Sequence, residues 1–216
     1  MNTFYIVRHG QTEWNTLGKT QGHGDSPLTD LGELQAENLA KALEKYPIDY
    51  IYCSDLGRAV QTAEIVSKKM NKDFTTTNLL REMGFGIWEG RPLSEIEYTY
   101  PETFRTWRNE PEKVEIPEGE KLLDIYKRQK KLIENINENY DGKHILLISH
   151  SVTVRVMLLD FLGSPIKNLY RIKQDNTAIN IVECREYGPV VIKINDTAHL
   201  NINGSLNKPQ AKSALE

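Results

Sequence analysis

Short apolar runs at Thr3 to Val7, Tyr50 to Ser54 and Lys143 to Ser149 read as buried strands. Stretches of helical period separate them. Leu31, Leu34, Leu39 and Leu43 recur on one face of a helix starting at Asp30, with Thr29 as its N-cap and Pro47 blocking its continuation. Leu56, Val60, Ala63 and Val66 mark a helix from Leu56 to Met70, and a short strand is expected around Thr75 to Thr77. Leu122, Ile125, Leu132, Ile133 and Ile136 form the stripe of a long helix from Glu120 to Tyr140, and Val152 to Leu162 reads as the next helix. Ala178 to Glu183 and Val190 to Ile194 are strands about a turn at Tyr187, Gly188 and Pro189. This alternation predicts an α/β fold: a three-layer sandwich with a mostly parallel central sheet, helices on both faces and a C-terminal antiparallel hairpin.

Two segments break the rhythm. A long polar loop follows the first strand through Gly10, Gly18, Gly22 and Gly24 to about Pro27, and loops of that length commonly carry function. From Glu82 to Glu118 the chain is rich in Gly, Pro, Glu and aromatic residues, with Ser94 and Glu97 spaced as a capping box for a short helix. The expected organisation is one domain over residues 1–210, a lid or insertion at about 83–118 and a tail at 211–216.

With 39% hydrophobic residues the chain can bury a substantial core, and a net charge of -3 gives no reason to expect nucleic acid or an anionic membrane as partner. The basic run Lys127 to Lys131 is flanked by acidic residues and reads as a solvated face. Cys53 and Cys184 form no C-x-x-C and read as reduced thiols. The N-terminus enters a strand directly, with no basic segment leading into an apolar one, which predicts a soluble cytoplasmic protein.

The first strand stops at Arg8 and His9, and the strand ending at Ser149 stops at His150. Ligands of open α/β sheets bind outside the carboxyl ends of the strands, so the two histidines become neighbours if those strands are adjacent. A neutral imidazole is a nucleophile near pH 7, and a guanidinium beside it offers charge-assisted bonds to a tetrahedral oxyanion, once Gly10 lets the chain turn. Arg58 falls in the first turn of a helix, where free N–H groups also attract anions. Glu82 opens a glycine-punctuated loop where a general acid would meet a leaving oxygen. Together these residues describe covalent phosphoryl transfer. His23 lies in the glycine loop and is a candidate to border the site, whereas His144 and His199 are assigned to the surface. Gly18-Lys19-Thr20 resembles the end of a P-loop, but Glu13 stands where its first glycine belongs. The sequence has no H-E-x-x-H, cysteine cluster or aspartate-rich loop, so neither a metal nor another cofactor is expected.

The stretches "VRHGQTEWN", "QGHGDSPLTDLGELQA", "IYCSDLGRAVQTAE", "REMGFGIWEG" and "LLISHSVTVR", in that order, resemble the histidine phosphatase superfamily, the phosphoglycerate-mutase-like fold. The resemblance implies that His9 is phosphorylated, that Arg8, Arg58 and His150 hold the phosphate, and that Glu82 protonates the leaving alcohol and then activates water. Asn15 and Gln21 would border phosphate and substrate. Ser151 stands where many relatives have Gly, keeping a small residue with a backbone N–H, and Gln11 replaces a more frequent Glu.

Mutases of this superfamily carry a longer insertion after the catalytic Glu, with a "GLNK"-like run and paired arginines. Neither is present, and "GIWEG" resembles the phosphatase branch, so the expected activity is metal-independent hydrolysis of a small phosphorylated metabolite. Mutase-type transfer and a non-catalytic phosphoprotein-binding module are the alternatives. "PETFRTWRNEPEKVE" and "INDTAHL" also resemble metal-independent phosphoserine phosphatases, but Phe85 lies where that group places a substrate-recognising histidine, which points to a more apolar or sugar-like leaving group. Expected substrate contacts are Gln21, His23, Phe85, Trp88, Tyr98 and Arg108, and the last strand is a candidate edge for a homodimer.

Overall fold

The computed structural model describes residues 1–201; the expected tail at 211–216 lies outside them. The chain runs through β1 (Thr3–Arg8), α1 (Glu13–Thr16), α2 (Asp30–Leu43), β2 (Tyr50–Ser54), α3 (Gly57–Met70) and β3 (Thr75–Thr77). It continues through α4 (Leu93–Thr99), α5 (Pro101–Asn109), α6 (Leu122–Asn139), β4 (His144–Ser149) and α7 (Ser151–Phe161), and closes with β5 (Ile179–Arg185) and β6 (Gly188–Asp196).

The six strands form one sheet in the order β3-β2-β4-β1-β5-β6. The first four in that order are mutually parallel, and β5 pairs antiparallel with β1 and with β6. Thus the mostly parallel sheet and the C-terminal hairpin are as expected, and β6 is the outer strand. Successive strand side chains point to opposite faces, and the core divides accordingly. Tyr5, Val7, Leu146 and Ile148 pack with Leu39, Leu43, Ala59 and Val66 of α2 and α3. Phe4, Ile6, Ile145 and Leu147 pack with Leu132, Ile136, Val154 and Leu158 of α6 and α7. Helices therefore cover both faces.

Three local readings change. The Thr12 side chain accepts from the Asn15 N–H and caps α1, a one-turn helix inside the segment read as loop. In the irregular segment α4 starts at Leu93 behind Pro92, so Ser94 lies inside the helix and no side-chain capping bond forms. α5 follows with Pro101 in its first turn, burying Phe104 and Trp107 three residues apart. These two rings join Met83, Phe85, Trp88 and Ile96 in a third core cluster against Leu122, Ile125, Val152 and Val156. Residues 83–118 are thus packed onto the N-terminal ends of α6 and α7. Among the described residues no helix is long and apolar enough to cross a membrane.

Candidate active site

β1 and β4 are adjacent and parallel, with Arg8 opposite Ser149, so both histidines leave the sheet at the same edge. Their ring centroids lie 5.2 Å apart. The His9 N–H still bonds to the Ser149 carbonyl at 3.0 Å, extending the ladder one residue past the strand. Thr177 holds the other side, its N–H reaching the carbonyls of Arg8 and His9 at 3.0 and 3.3 Å from a left-handed backbone (φ 57°). A β-branched residue adopts that conformation at a cost, so the surroundings enforce it. His199 supplies part of that enforcement: its Nε2 lies 3.2 Å from Thr177 Oγ1. At 8% exposure it is buried, not on the surface as its sequence position suggested.

Gly10 has a role other than the one expected. It does not adopt a positive φ; a Cβ there would lie 2.5 Å from the Gly32 carbonyl oxygen of α2. Glycine is required because the loop lies directly against that helix.

His9 Nδ1 lies 2.7 Å from the Gly10 carbonyl oxygen. A carbonyl only accepts, so Nδ1 carries the hydrogen and the lone pair of the neutral ring sits on Nε2. Burial, followed by the charges of Arg58 and Arg8, holds His9 well below the ordinary histidine pKa. Burial and the same arginines, Arg58 foremost, lower His150 likewise. Among the described residues neither ring nitrogen of buried His150 has a hydrogen-bond partner. Such atoms beside two arginines suit an anion that brings acceptors with it.

Arg8 is buried and donates through Nη1 to the Gln174 carbonyl at 2.6 Å. Arg58, buried in the first turn of α3, donates to the carbonyls of Gly22 (2.7 Å) and Gly24 (2.9 Å) and to Asp25 Oδ1 (3.1 Å). It thereby ties the glycine loop to the sheet edge. Buried Glu82 turns its carboxylate to the start of α7, accepting from the N–H groups of Val152 and Thr153 at 3.2 Å and of Met83 at 2.9 Å.

The cleft is lined by Arg8, His9, Asn15, Gln21, Arg58, Glu82, Phe85 and Ser151, and also by Lys19, Thr20 and Gly22. Gln21 donates to Thr12 Oγ1 at 2.9 Å, and Asn15 accepts from the Thr12 N–H at 3.1 Å, so both amides are anchored to one capping residue. His23 does not line the cleft; its Nε2 lies 3.1 Å from the Glu82 carbonyl oxygen.

Three further expected substrate contacts are placed elsewhere. Trp88 is fully buried in the third core cluster. Tyr98 is 89% exposed on α4. Arg108 stacks its guanidinium over Phe104 and Tyr170, each centroid 5.4 Å away. None of the three lines the cleft.

Several residues that shape the site were not singled out by sequence. Lys19 and Thr20 had been seen only as part of a failed P-loop pattern. Glu89 accepts from the N–H groups of His23, Gly24 and Phe85, all at 2.9 Å, joining the glycine loop to the Glu82 loop. Its signal was the "WEG" triplet, used only as a mark of resemblance. Among the described residues no group of three or more His, Cys, Asp or Glu side chains is placed to hold a metal ion.

Comparison with known proteins agrees with this geometry. The chain is 33% identical over 195 residues to phosphoserine phosphatase 1 of Hydrogenobacter thermophilus, covering 90% of this chain and 92% of that protein. It is 33% identical over 203 residues to a probable phosphoglycerate mutase GpmB of Yersinia pestis, covering 92% and 94%. The solved structure of Bacillus stearothermophilus YhfR superposes with a TM-score of 0.88 at 30% identity, over 92% of this chain and 99% of that one. A sequence model described as "Histidine phosphatase superfamily (branch 1)" matches residues 4–197, from β1 past the end of β6. This chain therefore belongs to branch 1 of the histidine phosphatase superfamily.

Proposed function

We propose that this protein hydrolyses phosphomonoesters of small metabolites through a phosphohistidine on His9, without a metal ion. The observation that carries the reading is the state of His9: a neutral imidazole, locked in the Nδ1–H tautomer, with its Nε2 lone pair in a cleft of buried guanidiniums. Arg8 and Arg58 offset the charge of a bound phosphate, and His150, its ring 5.2 Å from that of His9, offers it a hydrogen bond. Nε2 attacks phosphorus, the ester P–O bond breaks, and Glu82 gives its proton to the departing alkoxide oxygen. Water then attacks the phosphohistidine, the Glu82 carboxylate takes its proton, and the P–N bond breaks to release phosphate and restore His9. Asn15, Gln21 and Ser151 border the phosphate, while Phe85 and Lys19 face the leaving group.

Relatives named for phosphoserine hydrolysis and, provisionally, for phosphoglycerate isomerisation support small phosphorylated hydroxy-acids as the substrates to try first. The mutase-named relative keeps isomerisation as a second reading, in which a substrate hydroxyl rather than water takes the phosphoryl group. The test is phosphate release from phosphoserine, 3-phosphoglycerate and sugar phosphates in excess chelator, with a coupled isomerisation assay. Chelator-resistant release that falls at least about a thousandfold in His9→Ala supports the hydrolase. Isomerisation without net release would favour the mutase, and phosphate binding without turnover of any ester would leave a binding module.

A further inference from the structure

The basic run at 127–131 is not uniformly solvated. Lys127, Lys130 and Lys131 are exposed, but Arg128 is only 14% exposed and turns beneath the Glu82 loop. Its Nη1 donates to the Leu79 carbonyl at 2.8 Å and its Nη2 to the Glu82 carbonyl at 3.0 Å. One planar guanidinium thus spans two carbonyls of the segment leading into the proton donor. Nε and Nη2 also donate to the two carboxylate oxygens of Glu120, at 3.2 and 3.3 Å.

Glu120 grips the other side of the same loop. Its Oε2 accepts from the Gly84 N–H at 2.9 Å, and its own N–H donates to the Gly84 carbonyl at 2.8 Å. Burial pushes its carboxyl up, but the hydrogen bond with His23, the Arg128 charge and the Gly84 N–H outweigh this and bring it down to about 2. Glu120 is therefore charged throughout the neutral range. Solvent-exposed ion pairs contribute little, but this one is partly buried and spends its bonds on backbone groups at 79, 82 and 84. From the inner side the Glu82 carboxylate is fixed by the N–H groups of Met83, Val152 and Thr153.

We propose that the Glu120–Arg128 pair positions the Glu82 carboxyl for proton transfer to the leaving oxygen. Neither residue lines the cleft, so both act through the loop and not on the substrate. The inference rests on the reading of Glu82 as general acid. A displacement on the order of 1 Å is enough to weaken such a step by about a hundredfold.

The experiment is a series of substituted phenyl phosphates, from 4-nitrophenyl to 4-methoxyphenyl, with kcat/KM measured for the unaltered protein, Glu82→Gln, Arg128→Lys and Glu120→Gln. These esters differ little in shape but greatly in their need for a proton, because 4-nitrophenolate leaves readily unprotonated. Arg128→Lys and Glu120→Gln are expected to lower kcat/KM for the 4-methoxyphenyl ester by about ten- to hundredfold, and for the 4-nitrophenyl ester by less than about threefold. The dependence on leaving group steepens toward that of Glu82→Gln. A structural role alone would lower all esters equally, and that result, or no change in either conservative variant, would overturn the proposal. If Glu82→Gln itself treats all esters alike, the general-acid reading fails and takes the positioning role with it. If Glu82→Gln discriminates and the two variants do not, the positioning role alone is lost.

Discussion

His9 donates its Nδ1 hydrogen to the carbonyl of the next residue, Gly10, so its tautomer is set by the chain itself. Burial and two arginines then disfavour the imidazolium. The sign follows directly: a lowered folded-state pKa leaves the ring neutral where an ordinary histidine, near 6.5, takes up a proton. As pH falls below that value the unfolded chain binds the proton and the folded chain does not, so His9 and His150 each erode stability with acidification. Imidazole nitrogen NMR is expected to show His9 neutral, with hydrogen on Nδ1, at pH 5.5. Titration of His9 near pH 6.5 would contradict this account. The residues legible in the sequence share a property: Arg8, His9, Arg58 and His150 sit at a strand end or a helix start, where local pattern alone fixes position. Arg128 was misread because its role depends on Leu79 and Glu82, which lie 49 and 46 residues earlier in the chain. His199 was misread for the same kind of reason, its partner Thr177 being 22 residues away.

At the scale of elements, the strands followed from short continuous apolar runs and the long helices from period, because both are patterns of neighbouring residues. The segment 83–118 did not, because its short helices take their order from each other. Phe85 meets Trp107 edge-on at 5.6 Å and 86°, and Trp107 meets Tyr170 at 5.8 Å and 80°. This aromatic chain links the cleft wall at Phe85 to α5 and onward to the segment after α7. Trp88 and Arg108 look like site residues in sequence because they neighbour the loop, but this packing claims both. Trp107→Ala is expected to cost about 3–5 kcal/mol in urea unfolding. It is also expected to raise KM more than it lowers kcat, since it loosens Phe85 and leaves His9 untouched. A loss below about 1 kcal/mol would show that the segment is not packed as core.

Across the whole molecule, the sheet order brings the carboxyl ends of β1 and β4 side by side, so two histidines 141 residues apart in sequence share one edge. Helices on both faces bury that edge deeply enough to keep two guanidiniums and two imidazoles out of water. The glycine loop, tied by Arg58 and Glu89, forms one wall of the cleft. Such an architecture concentrates positive charge around His9, and the proposed reaction passes through a covalent phosphoenzyme on that residue. The most direct test is rapid mixing with 4-nitrophenyl phosphate in excess chelator, quenching under alkaline conditions that preserve phosphohistidine, and intact-mass and peptide analysis. The account predicts one phosphoryl group, carried on His9, formed at the rate of the nitrophenol burst and absent from His9→Ala. Turnover with no phosphorylated protein at any quench time, or a phosphoryl group on another residue, would contradict it.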